Sequence, residues 1–63
     1  MFIELTSIFG HKRLLINLKS ILYAEETEHG TRIQYENGDE EVTESYEEVK
    51  ALIEHEVQAE RGY

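Results

Sequence analysis

The chain has no cysteine, proline or tryptophan, one methionine, and only six lysines and arginines in 63 residues. Each absence excludes something. Without cysteine there is no disulfide framework and no thiolate zinc site, so a stapled secreted mini-protein is ruled out. Without proline no strand or helix is interrupted from within, which fits regular elements joined by tight turns. No apolar run nears the ~18 residues of a membrane-spanning helix, and no apolar signal segment follows Met1. A cytoplasmic protein with no membrane span is expected. The shortage of cations leaves 14 acidic residues largely unmatched, for a formal charge of −8. Nucleic acid is therefore a disfavoured partner, because a phosphate-backbone binder needs a basic face; a basic protein fits better.

The charge is uneven. Residues 1–24 hold Lys12, Arg13 and Lys19 against Glu4, a net of +2, whereas residues 25–63 hold thirteen acids against three cations, a net of −10. Length allows one domain, residues 1–63. Two-residue periodicity predicts strands at about 2–9, 12–18, 20–26, 31–36 and 39–43. Gly10-His11 is read as a hairpin connection. Asn37-Gly38, inside "YENGDEEV", is the strongest hairpin signal, since both residues tolerate the positive φ of a type I′ turn. The strand after it is expected at a sheet edge, where its charge discourages pairing with other chains.

A helix is predicted over about 45–59. Ser45 and Glu48 fit a capping box, and Val49, Leu52, Ile53 and Val57 repeat at the spacing of one buried stripe that Tyr46 extends. Gly62 suits its end. The expected fold is α+β: a small antiparallel β-meander of four or five strands, with one C-terminal helix packed on one face. That helix can cover one face only. Phe2, Ile8 and Leu15 are then left on the other, and a second copy of the chain is the simplest cover. A homo-oligomer is expected, with those three as contact residues.

Little here points to catalysis. Ser7, Ser20 and Ser45 lack a nucleophile-elbow setting, the glycines form no phosphate loop, and so short a chain leaves little room for an enclosed pocket. No enzyme activity and no cofactor are expected. His11 and His29, with Glu28, would make a metal site if their turns met, but two exposed turns explain them as well. His55 suits a solvated helix face. The carboxylates Glu36, Asp39, Glu40 and Glu41 are too closely spaced along a strand for an EF-hand loop, and read as an acidic edge offered to a partner. Lys12, Arg13, Lys19 and Arg32, with Tyr23 and Tyr35, form a conceivable basic-aromatic patch, and the overall acidity would equally suit a DNA mimic.

Taken in order, "IELT", Gly10, Ile16-Asn17, Ile21 to Glu25, Thr31 and Ile33, Asn37-Gly38 and Val42 to Val49 resemble the small flagellar proteins of the FlbD/SwrD type. The likeness covers residues 3 to about 53. It implies a non-enzymatic accessory protein of bacterial motility acting through protein contacts. The chain departs from that pattern at Leu18-Lys19-Ser20 and in its acidity after Gly38. A related accessory protein of a phage or mobile element would carry the same features. Residues 15–53 also resemble the strand core of LytTR-type DNA-binding domains.

Overall fold

The computed structural model describes residues 1–61, so Gly62 lies outside the described residues. β1 (Phe2–Thr6) and β2 (Arg13–Asn17) form an antiparallel hairpin with Ile3 opposite Ile16 and Leu5 opposite Leu14. Alternation does the sorting. Ile3, Leu5 and Ile16 are buried, whereas Phe2, Glu4, Leu15 and Asn17 are exposed. Both strands are shorter than expected because the chain leaves the ladder at Ser7. The Ser7 amide donates to the Lys12 carbonyl at 2.8 Å, and the loop between them carries His11 at φ 52°.

One 3-10 turn, Leu18–Ser20, follows β2. Asn17 Oδ1 accepts from the Lys19 amide, and Ser20 Oγ donates to the Asn17 carbonyl. This turn breaks the expected meander, because β3 does not pair with β2 after it. β3 (Tyr23–Glu26), β4 (Thr31–Tyr35) and β5 (Gly38–Val42) instead make a separate three-stranded antiparallel sheet. The two sheets join through the end of β1. Ser7 stands opposite Val42, the Thr43 amide donates to the Thr6 carbonyl at 2.8 Å, and the Ile8 amide donates to the Glu41 carbonyl at 3.0 Å. The strand order in space is therefore β2-β1-β5-β4-β3. Among the described residues β2 and β3 are the free edges, and β5 is an edge only over its first residues.

Asn37-Gly38 does not form the expected type I′ turn. Tyr35 pairs with Gly38, so the loop residues are Glu36 and Asn37, and neither has positive φ. Gly38 is instead the first strand residue, at φ 149°, and Gln34 Nε2 steadies the turn by donating to the Tyr35 and Gly38 carbonyls. Gly30 is required for a different reason. A Cβ there would meet the Val42 carbonyl oxygen at 2.1 Å, so only glycine lets the β3–β4 hairpin tip lie against the chain leaving β5.

α1 (Tyr46–Arg61) begins at the expected capping box: Glu48 donates its amide to Ser45 Oγ at 3.1 Å, and Glu48 Oε1 accepts from the Ser45 amide at 2.9 Å. It packs on one face, against β1 and β3. Val49 is buried and Ile53 and Val57 are half-buried, but Tyr46 and Leu52 stay on the exposed margin of the stripe. The core is small: Ile3, Leu5, Ile16, Ile33, Val42 and Val49, with Leu14, Leu18, Ile21, Ala24, Tyr35 and Ile53 around it.

Candidate interaction surfaces

The outer face of the hairpin carries two of the three expected contact residues. Phe2 is 50 % exposed and Leu15 71 % exposed. Leu15 stands opposite Glu4 and diagonally across the ladder from Phe2, within side-chain reach. Ile8 is placed elsewhere. It lies beyond the end of β1, half-buried, with its amide on the Glu41 carbonyl. Phe9 is the apolar side chain presented at that tip, 73 % exposed. Sequence alternation missed it, because the chain stops alternating at Ser7. Leu22 and Tyr23 are also exposed, beside the free edge of β3. The signal for them was the 3-10 turn, which shifts the start of β3.

The outer face of the three-stranded sheet is polar. Tyr23, Gln34 and Asp39 form one cross-strand row, and Glu25, Arg32 and Glu41 the next. Arg32 sits amid carboxylates, 3.0 Å from Glu25 and 3.9 Å from Asp39. The hydrogen bond to Glu25 raises its pKa further above the ordinary arginine value. Arg32 is thus committed to its own sheet, which separates it from Lys12 and Arg13 on the hairpin.

The four expected acidic residues divide. Glu36 and Asp39 are exposed, and Glu40 points to the core side, opposite Ile33. Glu41 is not a solvated edge charge. Its side chain is 19 % exposed, it accepts from Thr27 Oγ1 at 2.7 Å, and His29 Nδ1 lies 3.4 Å away. The hydrogen bond from Thr27 leads in holding its pKa below the ordinary carboxylate value, with His29 and Arg32 adding to it. His29 therefore faces a carboxylate of its own sheet. Among the described residues, no three His, Cys, Asp or Glu side chains gather as a metal site would require.

Glu44 was not singled out from sequence, yet it holds the junction together. Its two carboxylate oxygens accept from the Thr6 amide at 2.8 Å and from Thr6 Oγ1 at 2.9 Å, while its own carbonyl accepts from Thr31 Oγ1. Nothing local marks it among so many glutamates. Two shallow clefts lie on the surface. One, of about 180 Å³, lies between β3 and α1 and is lined by Ala24, Tyr46, Val49, Lys50, Ile53 and Glu54. The other, of about 280 Å³, includes Lys19, Leu22 and Tyr35. That second cleft also takes in Ser20, Glu36 and Asn37. Among the described residues no helix is long and apolar enough to cross a membrane. No family model, curated protein or solved structure matches this chain.

Proposed function

We propose that this protein is a non-catalytic interaction module that self-associates and serves as a cytoplasmic accessory subunit, in keeping with its resemblance to small flagellar proteins. One observation carries the reading: Phe2 and Leu15 are large, exposed and neighbouring, in a molecule with only six buried apolar residues among the described ones. Such a small domain gains stability from covering apolar surface against another copy. The test is light scattering at high micromolar concentration. The expected result is a mass above the monomer's that returns to it in Phe2→Glu; a monomeric wild type overturns the reading.

The acidic sheet face supports a second reading, in which Glu25, Glu36 and Asp39 meet a basic protein and occupy its nucleic-acid cleft as a DNA mimic would. Those carboxylates are exposed, and the one cation among them, Arg32, is already paired. Competition between this protein and an oligonucleotide for a basic DNA-binding protein supports it. Direct retention of this protein on an oligonucleotide overturns it in favour of DNA binding.

A further inference from the structure

We propose that a second copy of this chain docks along the free edge of β2, antiparallel and two-fold symmetric, with Leu15 opposite the partner's Leu15. The proposal rests on the self-association argued above and assigns it a geometry. The ladder phase comes first. The Leu18 amide donates to the Met1 carbonyl, and the Ser7 amide to the Lys12 carbonyl, at the two ends of the hairpin. Antiparallel pairs alternate between bonded and non-bonded, so Ile3/Ile16 and Leu5/Leu14 are bonded pairs while Glu4/Leu15 and Thr6/Arg13 are not. The backbone groups of Arg13, Leu15 and Asn17 therefore point away from β1, and among the described residues β2 has no strand on that side. Three outward-facing residues centred on Leu15 make a self-complementary edge.

Charge then separates the two free edges. β3 carries Glu25 and Glu26, so pairing it with its own copy sets carboxylates together. β2 carries no carboxylate. Centred on Leu15, it places Arg13 opposite the partner's Asn17 and Lys12 opposite the partner's Leu18, so no like charges are directly opposed. Arg13 already leans on Glu4, 3.7 Å away. On the outer face, Leu15 and Phe2 would run across the two-fold axis into their copies as one apolar stripe, covering the side chains that the monomer leaves in water.

Head-to-tail docking of β2 on another copy's β3 gains opposite charge but meets a geometric conflict. The Thr27 amide donates to the Gly30 carbonyl, which sets the β3 phase so that Ala24 and Glu26 present the outward groups. Their side chains lie on the core-side face, whereas those of Arg13 and Leu15 lie on the outer face. Directly bonded antiparallel partners share a face, so this arrangement would turn one sheet over.

The absence of cysteine makes a clean test. Two-fold pairing puts the two position-15 Cα atoms about 5.5 Å apart, within disulfide reach. Leu15→Cys should form a covalent dimer on mild oxidation, and Tyr23→Cys, on the other edge, should not. Leu15→Pro removes an outward amide that the β1–β2 ladder does not use, so it should keep the wild-type circular dichroism while losing the doubled mass. A folded Leu15→Pro that stays dimeric overturns the geometry. So does a dimeric wild type whose Leu15→Cys form fails to crosslink, or crosslinks only when mixed with Tyr23→Cys. These outcomes leave self-association standing, whereas a monomeric wild type removes both.

Discussion

The β1–β2 hairpin and the β3–β5 meander are both half-buried antiparallel sheets, yet their outer faces have opposite characters. The hairpin shows water Phe2 and Leu15, with a single exposed ion pair, Arg13–Glu4, between its strands. The meander shows a polar web of Glu25, Arg32, Asp39, Glu41, Thr27 and His29. The inner faces, by contrast, are alike: Leu5 and Ile33 are both fully buried in one core. Period-two alternation needs only one face for folding. The other face is free to specialise, here as an apolar surface on the hairpin and a polar, charged one on the meander.

Five changes would break or sharpen that contrast. The largest effects are expected where the halves meet. Leu5→Ala removes a fully buried side chain from the shared core and should cost about 2–5 kcal/mol. Gly30→Ala forces a Cβ onto the Val42 carbonyl and should cost about 3 kcal/mol through overpacking and strain. Urea unfolding followed by circular dichroism would measure both, and wild-type stability in either would contradict the packing described. Next comes Glu44→Ala, which strands the Thr6 amide and hydroxyl and should cost about 1–3 kcal/mol. Its amide exchange should rise at both Thr6 and Thr43 if the junction opens as a unit.

A smaller effect separates the meander from the hairpin by pH. Glu41 titrates below its ordinary value of 4.5 in the folded protein. Its contribution is therefore full above that value and fades as pH falls through the folded one. Acid unfolding of Glu41→Gln should lose this part of the pH dependence, whereas Leu15→Lys should keep it. The smallest change in monomer stability is expected from Leu15→Lys itself, within about 0.5 kcal/mol for an exposed site. It should nevertheless abolish the self-association proposed above.

Much of this architecture could be read in the residues. Alternation located all five strands to within a few positions, and Ser45 with Glu48 marked the helix start that the hydrogen bonds show. What escaped was non-local. Pairing of Ser7 with Val42 has no signature in either segment, so β5 was expected wholly at an edge. Asn37-Gly38 announced a turn but not its phase, because the pairing of Tyr35 with Gly38 settles which two residues form the loop. Glu41 looked like its neighbours until the β3–β4 tip brought Thr27 and His29 beside it.

The Glu44 carboxylate grips Thr6 across 38 residues of sequence. Each hairpin closes over a short loop, on the microsecond scale of local contacts, but this tie must wait for the long span to close. Folding speed should therefore follow that single encounter, and a longer loop at Lys19-Ser20 should slow refolding more than it lowers stability. On the ribosome the consequence is an order of events. The hairpin emerges before the three-stranded sheet, and one side of β1 stays unclaimed until the end of β5 and Glu44 follow.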